Sequence, residues 1–132
     1  MIELIFVIVI LGILSAIALP KFFGTVEDAY LAKAQAKVDT IRSGLQNYRS
    51  KELLKGNGAT YPASLDSGGQ LFAVVAEGVT AASGAGHWEV NATRYTYHAG
   101  DRDIVFDYNS TAGTFLCNRT LTSPSNLCDR FE

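Results

Sequence analysis

From Leu4 to Leu19 the chain carries no charged side chain, and Pro20 follows directly. The run is apolar apart from Ser15, and Glu3 is the one ionisable side chain among the first nineteen residues, MIELIFVIVILGILSAIAL. A helix of that length at about 1.5 Å per residue spans roughly 28 Å, close to the hydrocarbon thickness of a bilayer, about 30 Å. A buried core helix in so small a protein would show a polar face, which this segment lacks. A cleavable secretory signal, with its small-residue site at Ala16-Ile17-Ala18, would open on positive charge, where this one has Glu3. The segment therefore reads as a membrane-grade helix, and the overall 48% hydrophobic content of the 132 residues is the sum of two unlike parts.

Pro20 removes a backbone donor and is expected to end or kink the first segment, yet a helical period resumes beyond it. Phe22, Val26, Tyr30, Ala34, Val38, Ile41, Leu45 and Tyr48 recur at spacings of four and three, with Lys33, Lys37, Arg42, Arg49 and Lys51 elsewhere on the wheel. Gly56-Asn57-Gly58 is a strong stop. The pattern predicts one long helix over residues 1–55, apolar over 1–20 and amphipathic thereafter, with its stripe packed on the rest of the domain. Gly44 inside it costs about 1 kcal/mol relative to alanine, which a close packing contact would justify.

From Gly56 to Glu132 the composition shifts to Gly, Ser, Ala, Thr and Asn with short apolar runs, the signature of a globular head. Tyr61-Pro62-Ala63-Ser64-Leu65 reads as an extended segment turning Tyr61 and Leu65 inward. Leu71–Ala82 is expected to form a short helix interrupted by Gly78. Trp88 and Val90, Tyr95 and Tyr97, and Ile104, Phe106 and Tyr108 alternate at period two, as strands with one covered face do. Asn109–Gly113 reads as a hairpin loop leading to a last strand at Thr114–Cys117. The expected class is α+β: a small antiparallel meander covered by the amphipathic half of the helix.

Cys117 and Cys128 are the only cysteines and are expected to be bonded, closing a loop of about twelve residues that would stabilise by roughly 3 kcal/mol. Neither His87 nor His98 stands at a zinc-ligand spacing from them. No nucleophile elbow or phosphate-binding glycine loop occurs, so no enzymatic activity and no cofactor are expected. Residues 1–55 hold seven Lys or Arg and five acids, net +2, and residues 56–132 hold four and eight, net −4, which sum to −2. That balance does not support nucleic-acid binding by charge alone.

The stretch MIELIFVIVILGILSAIALPKF resembles the N-terminus of type IV pilins from the third residue of their processed form onward. Glu3 and Pro20 stand seventeen positions apart, as in that family, with Gly12, Ser15, Ala16 and Ala18 also in place. The likeness is specific over about 22 residues and architectural over the remaining 110. The family's leader and first two processed residues have no counterpart in this numbering, leaving either a processed start ahead of Met1 or a Met1 that is not the natural one.

The resemblance implies a filament-building subunit. It resides in the bacterial inner membrane before assembly, where prepilin peptidase and the pilus assembly machinery act on it, and then in a cell-surface helical filament of identical subunits. Glu3 would pair with the N-terminal amine of an adjacent subunit and register it. Gly12 to Pro20 would lose helical hydrogen bonds in the filament. Adhesion, twitching motility and DNA uptake are roles the family carries out. A pseudopilin of a type II secretion system shares the same helix, and a monomeric membrane-anchored periplasmic binding module is a reading of another class.

Three weaker candidates remain. Asp101, Asp103 and Asp107 lie near one another in sequence and are a possible calcium site, although their spacing is not that of an EF-hand and solvated strand-end acids are the simpler reading. Calcium there would favour a pseudopilin, whereas the C-terminal disulfide loop favours a pilin. Asn91-Ala92-Thr93, Asn109-Ser110-Thr111 and Asn118-Arg119-Thr120 match the glycosylation sequon, and the first two have an acid, Glu89 or Asp107, two residues before the asparagine.

Overall fold

The computed structural model describes the backbone of residues 1–132 and every side chain except those of residues 18–23. One helix, α1 (Ile2–Leu54), precedes β1 (Trp88–Asn91), β2 (Arg94–Ala99), β3 (Arg102–Asn109) and β4 (Thr114–Cys117), and a 3-10 helix spans Ser125–Arg130. The strands form one antiparallel sheet in the order β1-β2-β3-β4. The class is α+β, as the alternation and the long helical period predict.

The 53 residues of α1 extend roughly 80 Å at about 1.5 Å per residue. Its end is built by the predicted stop signal. Gly56 is left-handed at φ 82°, its N–H donates to the Leu53 carbonyl at 3.1 Å, and the Asn57 N–H donates to the Glu52 carbonyl at 3.0 Å. Those two bonds are a Schellman cap, and glycine supplies the positive φ without a Cβ clash. The kink expected at Pro20, and Phe22 of the stripe, lie outside the described residues.

The buried face of α1 is Leu31, Ala34, Val38, Ile41 and Leu45. It starts at Leu31 rather than at Val26, which is exposed, while Tyr30 and Tyr48 sit half-buried at its margins. Leu31 was absent from the expected stripe because Tyr30 fits the same period one position away. Gly44 is buried, and a Cβ there would run into the backbone carbonyl of Val75. The predicted close contact is therefore real: the chain crosses the helix where it has no side chain.

Opposite α1 the sheet presents Tyr95, Tyr97, Ile104, Phe106, Tyr108 and Phe115, all buried. The register stacks Tyr95 beside Phe106, Tyr97 beside Ile104 and Tyr108 beside Phe115 on one face. Phe72 enters this cluster from the loop, its ring centroid 4.8 Å from Tyr95, 5.1 Å from Trp88 and 5.9 Å from Phe115. Edge-to-face and tilted pairs of this kind contribute about 0.5–1.5 kcal/mol each beyond burial. Leu65 is also buried, and the Tyr108 hydroxyl donates to the Pro62 carbonyl at 2.6 Å, so the Tyr61–Leu65 segment turns inward as expected.

Leu71–Ala82 is not a helix, which corrects the expectation for that stretch. Phe72 has a φ of 63°, a left-handed conformation that an α-helix cannot contain, and Leu71 pairs with Val79 in an isolated antiparallel bridge. The Asp66 carboxylate holds the bend: its Oδ1 accepts the Phe72 N–H at 3.1 Å and its Oδ2 accepts the Tyr95 hydroxyl at 3.1 Å. Seating an aromatic ring in the core outweighs the local helical preference of Ala and Leu.

The hairpin between β3 and β4 is capped by Asn109, whose Oδ1 accepts the N–H groups of Thr111 and Ala112 at 2.9 and 3.1 Å. Cys117 and Cys128 are bonded, with Cα atoms 5.5 Å apart, as predicted. The loop they close finishes the sheet. Where β4 ends, the Asn118 N–H donates to the Val105 carbonyl at 2.7 Å, and the buried Thr122 hydroxyl accepts the Val105 N–H at 3.0 Å.

Candidate functional site

Nothing in the head covers the first turns of α1. Among the described residues, thirteen large apolar side chains from Met1 to Ile17 are each more than half exposed. They surround the helix, and their combined area goes well beyond the ~300–600 Å² that the largest apolar patch of a soluble monomer typically reaches. Ser15, the polar exception, donates its hydroxyl to the Leu11 carbonyl at 2.7 Å. Beyond its first turn, whose N–H groups have no side-chain cap, the arm satisfies its own backbone and hydroxyl donors and suits an apolar environment.

Gly12 lies on this arm, and a Cβ added there would meet nothing within 4 Å. Unlike Gly44, it has no packing reason among the described residues for its cost of about 1 kcal/mol. Glu3 is exposed in the first turn, where a carboxylate is favoured by the positive end of the helix dipole. Among the described residues no cationic side chain pairs with it. The next cation in sequence, Lys21, is eighteen positions on.

Among the described residues no helix is long and apolar enough to cross a membrane. The described part of the apolar segment ends at Ile17, about 24 Å of helix from Ile2, and Ala18 and Leu19, which complete it in sequence, lie outside the described side chains. Pro20, the other half of the expected Gly12–Pro20 feature, is outside them as well.

The three aspartates do not converge. Asp103 and Asp107 are four residues apart on one strand, roughly 13 Å at the usual rise, and each has its own partner. The Asp103 carboxylate is hydrogen-bonded to His98 Nδ1 at 2.5 Å, whereas His98 Nε2 lies 3.4 Å from Glu89 Oε2 without a hydrogen bond to it. Asp107 accepts from Arg94 Nε at 3.1 Å and from Asn118 Nδ2 at 2.6 Å. Asp101 is exposed in the turn between β2 and β3. Among the described residues no three His, Cys, Asp or Glu side chains gather as metal ligands would, these aspartates included.

Two of the three sequon asparagines are exposed at hairpin tips: Asn91 ends β1 and Asn109 ends β3. Asn118 is different, because its amide donates to Asp107 while its Oδ1 accepts the Thr120 and Leu121 N–H groups at 3.0 and 3.2 Å. It acts as an internal brace.

A groove of about 600 Å³, absent from the sequence-level expectations, lies between α1 and the chain leading into β1. Lys33 and Lys37, one turn apart on the helix, stand over it; in sequence they looked like solvated positions on the polar side of the stripe. Burial holds the Lys37 ammonium below its ordinary pKa, with the Glu77 carboxylate partly offsetting the effect. No protein-family model, no curated protein and no solved structure matches the chain.

Proposed function

We propose that the chain is a structural subunit of a type IV pilus, polymerising through the apolar arm of α1 into a helical surface filament. The carrying observation is the arm itself: thirteen exposed large apolar side chains at one end of a helix whose other half is packed on a folded head. A surface of that kind must be covered by lipid, by other subunits, or by each in turn. The arm projects beyond the head, so copies can bundle their arms at a common axis while the heads form the outer shell.

Glu3 supplies specificity in this reading. A lone carboxylate on an apolar helix costs up to a few kcal/mol once it leaves the interface, and the cost is removed by an amine from a neighbouring subunit. Gly12 weakens the helix by about 1 kcal/mol relative to alanine, and a Cβ there would touch none of the described residues, which favours loss of helical hydrogen bonds between Gly12 and Pro20 on assembly. The chain brings no catalytic machinery to this role. Maturation and assembly fall to prepilin peptidase and the assembly machinery, in the bacterial inner membrane before the chain enters the cell-surface filament.

The same arm would serve a pseudopilin of a type II secretion system. The C-terminal disulfide, which ties the last turn of the head to β4, favours the pilus reading. Electron microscopy of purified surface filaments, with their main protein identified by intact mass, tests the proposal. Abundant long fibres made of this chain support it. Absence of fibres, with loss of protein secretion on deletion of the gene, would assign the chain to a secretion pseudopilus.

A further inference from the structure

We propose that the groove between α1 and the 77–88 segment is a binding site for a small aromatic monocarboxylate. One wall is the helix, with Ala36 between Lys33 and Lys37; the facing wall is Glu77 and Val79; Trp88 closes the floor. Its volume of about 600 Å³ is in the range of small-molecule pockets, roughly 300–1,000 Å³.

The two ammonium groups are the recognition element. Like charges four residues apart on a helix oppose each other, and here the hydrogen bonds they make go to main-chain carbonyls: Lys33 to Gly86 at 3.4 Å and Lys37 to Glu77 at 2.5 Å. Each ammonium has three donors, so both keep donors for an anion. Lys37 also lies 5.8 Å from the Phe72 ring centroid, which helps fix its position. With Glu77 included, and His87, which also lines the groove, counted as neutral, the formal charge of the lining is +1, which a monoanion neutralises and a phosphate dianion would over-compensate. The apolar remainder, Ala36, Val79 and the Trp88 indole, suits a flat ring. Trp88 is pinned from behind by Phe72 and by Tyr97, 4.9 Å between centroids, so the floor is preorganised.

Trp88 is the single tryptophan of the chain, so all tryptophan emission comes from the floor of this groove. The test is a titration of the full chain in nonionic detergent with 4-nitrobenzoate, with 4-nitrobenzyl alcohol as the uncharged control. Saturable quenching by the carboxylate, at least about tenfold weaker with the alcohol and with Lys37→Met, is the expected result, since one charge-assisted hydrogen bond accounts for a factor of that order. Equal quenching by carboxylate and alcohol overturns the proposal, as does unchanged binding in Lys37→Met. If Lys37→Met shifts the emission maximum of the free protein, Lys33→Gln, on an exposed residue, decides: loss of about tenfold supports the site and no loss overturns it.

Discussion

Gly44 on α1 lies directly under the backbone carbonyl of Val75, and a methyl group at that position would overlap it. Two opposing effects meet there. Alanine would improve the intrinsic helix propensity by about 1 kcal/mol, whereas forcing the 71–79 loop outward costs about 1–3 kcal/mol and loosens the seat of Phe72. Gly44→Ala is expected to lower the midpoint of urea unfolding of the head, and a raised midpoint would show that the loop yields freely. Gly12→Ala, where nothing stands within 4 Å, leaves the head's midpoint unchanged.

Asp66 joins the loop to the sheet through Phe72 and Tyr95. Asp66→Ala leaves the Phe72 N–H and the Tyr95 hydroxyl without their acceptor and is expected to cost about 2 kcal/mol. Tyr95→Phe removes one of the same bonds. The double variant is therefore less destabilised than the sum of the single ones, and thermal melts of all three check the coupling.

Much of this architecture was legible in the chain. The alternation of Tyr95, Tyr97, Ile104, Phe106 and Tyr108 predicts the strands because a pleated surface with one covered face imposes that period. Gly56-Asn57-Gly58 marks the helix end because only a left-handed residue completes the cap. Leu71–Ala82 misled because what shapes it is not local: Asp66 captures the Phe72 N–H, and the ring is drawn into a cluster whose other members lie 16 to 43 positions away. The candidate site divides the same way. An uncharged run such as Leu4–Leu19 is visible as an absence of charge, whereas the Lys33–Lys37 groove exists only once the 77–88 segment is folded across the helix, and no local pattern announces it.

Burial pushes the Tyr108 hydroxyl up to about 12, and burial raises Tyr95 and Tyr97 above the ordinary tyrosine value near 10 as well. In the folded head these groups hold their protons more tightly than in the unfolded chain. Their contribution to stability is complete below pH about 10 and is lost as pH rises from about 10 to 12. Circular dichroism followed through that window is expected to show unfolding, with tyrosinate absorbance from the core appearing in the same transition. Tyrosinate absorbance from these three residues at pH 10 with the fold intact would contradict the assignment.

Replacing both Cys117 and Cys128 by serine is expected to lower stability by roughly 3 kcal/mol. The loss falls unevenly, because the 118–122 segment completes the edge of β3 through Val105. Limited proteolysis of the double variant should cut first within residues 118–127. A first cut in the 77–88 segment would show that the loop is held by its own hydrogen bonds rather than by the disulfide.

In the proposed filament the exposed arm assembles copies of this chain and Glu3 registers them. The most direct test of that assembly is Glu3→Val in the cell that makes the protein, with surface filaments counted by electron microscopy and the head's thermal melt compared with that of the unaltered chain. The melt is expected to be unchanged, because Glu3 touches nothing in the head, and nearly all filaments are expected to be lost. Filaments of normal number and length from the Glu3→Val chain would contradict that role for Glu3.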